Sequence, residues 1–388
     1  MKGAHALPIL LACAVAAGAT LYYGRSRSET DPPPVAETTS AEQFVQQETG
    51  LAFDELPGPF PVSQDDLTAL VGAHLDQRFG PDGLTHRSRA FDLLQLLPPG
   101  ENLRGLYLAM HTAGARAWFN NQDGAIYVVD SFDPARTDDH ATLARMRTRQ
   151  LLHQRFPPPE DHPGDDAWIA REAVHAGIAA SVQARFVTRG SGRSSLPTSE
   201  ETEREATLLG LPVFVHNLAQ LGSYLGRDFA EAHRQDGPEP WKDLLASPQP
   251  PTLLLLANDH PATAPPTLPD TPGTPVFEES LGAYPTQLLL ERLTDYLQSE
   301  KVSPLWRGDR YRLFTTGTGD HLVWVCQWAT PEAAGYAADL IRNTLSPTPA
   351  DPALGLEPRH TAITTTGTTL LFLNCADAAT LDSITNHQ

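Results

Sequence analysis

Arg145 and Arg149 stand four positions apart, with Met146 beside the first. Residues at i and i+4 share one face of a helix. Two histidines at that spacing, with a glutamate next to the first, would bind zinc and activate a water. Arginine can do neither, because its guanidinium stays protonated and has no lone pair to give. Met146 cannot accept a proton. Two like charges on one face repel by a few tenths of a kcal/mol, and buried they need partners. Fourteen histidines suggest a second source of metal chemistry. His140 precedes the arginines, His153 follows Arg149 by four, and His175 lies further on. His153 and His175 with an acid would make a relocated metal site; the plainer reading is surface or satisfied histidines. Ser191–Ser195 and the Gly-x-Gly fragments lack the strand–turn–helix setting of a nucleophile or phosphate loop and belong to loops.

The elements that must position these residues are readable. Asn120-Asn121-Gln122-Asp123-Gly124 is a turn signal, and Ala125 to Val129 is the strand it opens. A polar loop leads to a helix expected from about residue 140 to 156. A second helix is expected over residues 167–186, after a Pro-rich acidic loop. Upstream, Ser63 is positioned to cap a helix, a second helix ends at Pro98-Pro99-Gly100, and a third covers residues 103–115. Downstream, the sequence predicts a mobile polar loop over 187–207 that would lie over the cleft, one helix over 208–231, and a short helix over 241–245. A Pro- and Thr-rich connection follows over 248–275, carrying Leu253 to Leu256, then one helix over 281–298. The C-terminus reads strand, strand, helix, strand, strand, helix, an antiparallel sheet with helices on one side.

Strand, loop and helix in this order, with Ile126-Tyr127-Val128 in the strand and Leu151, Gln154 and Phe156 late in the helix, resemble a family of bacterial zinc metallopeptidases of zincin type. The likeness extends to the Leu-Leu-Pro-Pro stop at Leu96 to Pro99, to Gly177 and Ala179, and to Trp306-Arg307-Gly308-Asp309-Arg310-Tyr311. It spans roughly residues 53 to 375. The family carries His-Glu-x-x-His, and the resemblance places its first ligand on Arg145, its base on Met146 and its second ligand on Arg149. The third ligand, a glutamate, falls on Ala176. It therefore implies a zincin-like scaffold without metal, cofactor or catalytic residue. Glu172 lies one turn before Ala176, so an Arg149–Glu172 or Arg145–Glu172 ion pair is expected where the metal bridged the two helices; both arginines reaching solvent is the alternative.

The net charge of −19 excludes nucleic acid as a partner, since phosphate binding needs lysine and arginine in excess. Residues 1–24 carry Lys2, an apolar run from Ala4 to Gly24, and then Arg25 and Arg27, long enough to span a bilayer. An uncleaved anchor is the favoured reading, with a cleaved signal or lipidation at Cys13 as the others. Residues 25–60 read as a Pro-rich tether. Cys326 and Cys375 sit in separate expected strands, as a disulfide or as two buried thiols.

The expected fold is α+β: residues 1–24 as transmembrane anchor or signal, 25–60 as tether, 61–303 as a helical zincin-like body with a degenerate metal site, and 304–388 as a small antiparallel sheet module. The expected function is binding of a peptide or protein by an inactive enzyme scaffold held at the membrane, with its body outside the cytoplasm. A hydrolase with relocated ligands and a purely structural envelope protein are the other classes. A reporter active only outside the cytoplasm, fused after residue 40, should give signal. Signal only from a cytoplasm-dependent reporter would reverse the orientation.

Overall fold

Ala41, Phe44 and Val45 are buried along one side of a helix, α1 (Ala41–Thr49), inside the stretch expected to be tether. Alanine, phenylalanine and valine at i, i+3 and i+4 form an apolar stripe, and the stripe packs into the main core. The computed structural model describes residues 40–158, 164–191, 199–246, 252–256, 264–293, 296–344 and 358–386. The expected anchor and most of the tether lie outside the described residues, among which no helix is long and apolar enough to cross a membrane. Residues 41–388 form one compact unit, α+β in class.

A short strand, β1 (Phe60–Val62), leads into α2 (Gln64–Phe79), where Ser63 accepts from the Asp66 amide at 3.1 Å as its cap. Helix α3 (Gly83–Leu93) ends before the leucines expected to extend it; Gln95 has φ 56° and turns the chain so that Leu94, Leu96 and Leu97 enter the core from a turn. Helix α4 (Leu103–Thr112) and the hairpin β2 (Ala117–Phe119) and β3 (Ile126–Val129) follow. Strand β3 takes β2 antiparallel on one side and β1 parallel on the other.

Helices α5 (Thr137–Arg155) and α6 (Asp165–Ser191) pack along each other and carry most residues singled out above. The polar stretch expected as a loop is in part helical. Helix α6 runs on to Ser191 and α7 spans Ser199–Leu209, with the residues between outside the described set. Residues 208–231 are not one helix. Pro212 starts α8 (Val213–Gln220), then a π-helical turn (Gly222–Gly226) precedes α9 (Arg227–Ala232). Short helices α10 (Lys242–Ala246) and α11 (Thr252–Leu255) complete this part.

The sheet has five strands, because Thr274–Glu279 forms β4 within the expected connection. Helices α12 (Ala283–Leu293) and α13 (Tyr296–Val302) lead to β5 (Trp306–Thr316), β6 (Gly319–Trp328), α14 (Pro331–Thr344), β7 (His360–Thr366), β8 (Thr369–Cys375) and α15 (Ala378–Thr385). The antiparallel order is β4-β5-β6-β8-β7. Leu322 to Cys326 is buried without interruption because both faces of β6 are covered. Leu322, Trp324 and Cys326 face the main core and α14, whereas Val323 and Val325 face a smaller cluster closed by Ile384 of α15. Helices therefore cover both faces, not one. Cys326 and Cys375 are free thiols on opposite faces, a placement that no disulfide can bridge.

One buried carboxylate ties the sheet to the helices. Asp309 of β5 accepts from the amides of Leu281 and Gly282 at 2.8 and 2.9 Å, from Ser280 Oγ at 2.9 Å and from Trp324 Nε1 at 2.8 Å. Asp309→Ala orphans two buried amides and an indole, so its cost should be on the order of 3 kcal/mol. Urea melts would test this, and a loss below about 1 kcal/mol would mean that water replaces the carboxylate.

Candidate functional site

Side chains at i, i+3 and i+4 make one stripe on each of the two long helices, and both stripes face the same space. On α5 the stripe includes Thr142, Arg145, Met146 and Arg149; on α6 it includes Trp168, Glu172, Ala173, Ala176 and Gln183. The space is a cavity of about 610 Å³. Arg145, Met146, Arg149, Ala176 and Glu172, singled out from sequence, all line it.

Arg149 donates through Nη2 to Glu172 Oε2, with each side chain about one quarter exposed. The pair is thus neither sealed from water nor free in it. Arg171 approaches the same carboxylate, Nη1 to Oε1 at 3.2 Å, and its other arm donates to the Phe156 carbonyl. Burial pushes the Glu172 carboxyl up, but the cations around it, Arg149 first among them, together outweigh it. With Arg171 and Arg78 adding to Arg149, the carboxyl is held at about 2. Arg145 is placed differently. Its Nη2 reaches Ser223 Oγ at 3.4 Å, the outer limit of a hydrogen bond, and among the described residues it has no carboxylate partner. Burial, then Arg204 and Arg149, lower it to about 10. Met146 packs against Phe119, Ile126 and Val128 beneath the hairpin, as an apolar filler.

Ala176 lies against the π-helical turn. A Cβ on Gly222 would come within 2.5 Å of the Ala176 Cβ, and one on Gly226 within 2.1 Å of the Ala173 carbonyl oxygen. Only glycine permits this approach, and the extra residue of the π turn aligns both glycines with α6.

Other elements complete the cavity in ways the sequence did not signal. Helix α2 contributes His74 and Arg78, α4 contributes His111, and α7 contributes Arg204 and Leu208. Arg78 lies 4.2 Å above the Trp168 ring and 4.5 Å from the Phe79 ring, and its Nε has no hydrogen-bond partner. Arg116 grips Asp139 with two nitrogens, and Asp139 also accepts from the Asp133 amide at 2.8 Å. That clamp fixes the loop entering α5. The spacing of His74 and Arg78 at i and i+4 was the one local signal available for any of these.

Four histidines around the two helices are held towards the neutral form. Burial, reinforced by neighbouring cations, pushes His175 and His111 down to about 3 and also lowers His74 and His153. Among the described residues no group of three His, Cys, Asp or Glu side chains converges to hold a metal ion, and His153 instead sets its ring edge-on against Phe119.

A family model described as a domain of unknown function (DUF8575) matches residues 271–385, from just before β4 to the end of α15. The similarity covers the sheet and, of the cavity lining, only Ser280, Leu281 and Pro285. No curated protein and no solved structure matches the chain.

The Arg149–Glu172 pair should show a coupling of about 1–2 kcal/mol in a double-mutant cycle of Arg149→Met and Glu172→Ala at pH 7. Because the folded carboxyl sits below its unfolded value of 4.5, its contribution is complete above pH 4.5 and fades as pH falls towards 2. Urea melts at pH 7 and pH 3.5 should therefore give a smaller coupling at the lower pH. Additive effects at both, within about 0.5 kcal/mol, would mean two independently solvated groups.

Proposed function

We propose that this chain is a zincin-like protein that binds a peptide or protein segment and performs no peptidase chemistry. A single observation carries the reading. The four positions aligned with metal ligands and base line an open cavity, and their side chains are Arg145, Met146, Arg149 and Ala176. None of the four can ligate zinc or take a proton from water. Had the site simply decayed, apolar side chains would be expected to fill it. A retained cavity with aromatic walls and a few polar groups is instead the usual form of a binding site.

The apolar run at residues 4–24 supports attachment to a membrane. Glu29 and Asp31 favour a body outside the cytoplasm, against the pull of Arg25 and Arg27 under the positive-inside rule, and the acidic composition disfavours docking on an anionic lipid surface. In this reading the α5–α6 cavity is the functional surface, and the sheet module is its support through Asp309.

The purified chain should contain no stoichiometric zinc after mild dialysis. Arg145→His should gain no tight zinc binding, since at least three protein ligands are needed. A random-sequence peptide pool should change the fluorescence of Trp118 and Trp168, which line the cavity, and the same pool should remain uncut by mass spectrometry. One equivalent of zinc with cleavage of the pool would overturn the proposal in favour of a hydrolase.

A further inference from the structure

The charges of the cavity do not cancel. Six arginines and five acids line it among the described residues, and its two histidines are held neutral by burial. Most of these charges are already satisfied inside the protein. Arg149 holds Glu172, Arg116 holds Asp139, and Asp165 is gripped from behind by Arg87 at 2.6 Å. Arg136 and Arg204 are exposed. Arg78 and Arg145 remain, both partly buried in the wall, and neither has a carboxylate partner among the described residues. Arg78 is sandwiched against Trp168 and Phe79, and among the described residues the Arg145 guanidinium makes one hydrogen bond, to Ser223 Oγ. Arginine carries five donors in a planar fork, so most of the hydrogen-bonding capacity of Arg145 is unused.

We infer that Arg145 receives a carboxylate of the bound peptide, with Arg78 adding positive charge elsewhere in the cavity lining; this rests on the peptide-binding reading above. Three observations select the ligand class. A lining with one net positive charge suits a monoanion, whereas a phosphate dianion would also meet Glu172, Asp138 and Glu205. Trp118, Phe214 and Leu218 line the cavity too and provide an apolar bed beside the charge. Thr142, Gln183 and Gln220 are polar lining side chains without a hydrogen-bond partner among the described residues. A peptide backbone offers amides to such groups; an alkyl carboxylate offers none. The carboxylate is either the peptide C-terminus or an acidic side chain.

The full chain would be titrated, with tryptophan fluorescence as readout, against random hexapeptides ending in leucine. These are supplied as free acids, as amides, and as amides with one internal aspartate, with octanoate as the non-peptide carboxylate. The free acids or the aspartate amides should bind at least about tenfold tighter than the plain amides, the range of a charge-assisted arginine contact. Whichever arm is tighter identifies the source of the carboxylate. Arg145→Met should abolish the preference, Arg145→Lys should leave part of it, and Lys242→Gln, at an exposed site on α10, should leave it intact. Thermal melts identify a variant that has lost its fold, in which case Arg145→Lys decides. Equal affinity of all peptide arms overturns this inference while the peptide-binding reading stands. Octanoate binding as tightly as the best peptide overturns the choice of a peptide ligand. Absence of binding in every arm overturns both.

Discussion

Glu172 is the carboxylate at which the charges of the two long helices meet. Helix α5 brings Arg149 to it, α6 brings Arg171 beside it, and Arg78 adds its field from α2. Without an anion at this point the interface would present several guanidiniums to one another in a partly dry space, where like charges repel far more than in water. The lowered values of His74, His111, His153 and His175 come first from burial, with neighbouring cations adding to it, whereas Glu172 acts on all four in the opposite direction.

The position of α6 is set at its N-terminus. Asp165 accepts both arms of Arg87, and Asp166 accepts from the Thr252 hydroxyl and amide. The Tyr284 amide in turn donates to Thr252 Oγ1 at 2.9 Å, and Gly282, next to Asp166, donates to Asp309. Two buried acids therefore link α6, α11, α12 and β5 through shared donors. Burial first, with Asp309 adding repulsion, pushes Asp166 up to about 6. The sheet holds the cavity in place without lining much of it.

Local signals carried much of this architecture. Ser63 caps its helix as its type predicts and Pro331 opens α14, whereas the apolar run of β6, which is covered on both faces, reads from sequence as part of a sheet with helices on one side. Several of the elements missed have a cause that lies elsewhere in the chain. Strand β4 contains Pro275, which is tolerated because β4 is an edge strand. Helix α7 begins in an acidic run that reads as loop, although acids favour a helix N-terminus. Within residues 208–231 the first break lies at Pro212, a local signal that the single-helix reading passes over, whereas the π turn packs against α6, a contact that no periodicity reveals. At the site, the α5 and α6 positions were legible because they share a helix period, whereas Arg78 and His111 arrive from helices far away in sequence.

The glycine seam between the π turn and α6 bears on which substitutions the cavity wall can accept. Ala176 fits because Gly222 offers no side chain opposite it, and the Gly226 backbone rests against Ala173. A side chain at position 222 or 226 would therefore drive the π turn off α6, and with it the part of the cavity wall that Gly222 and Ser223 supply. Two hydrogen atoms in place of two methyl groups thus decide how closely the wall can stand to the helix that carries Glu172.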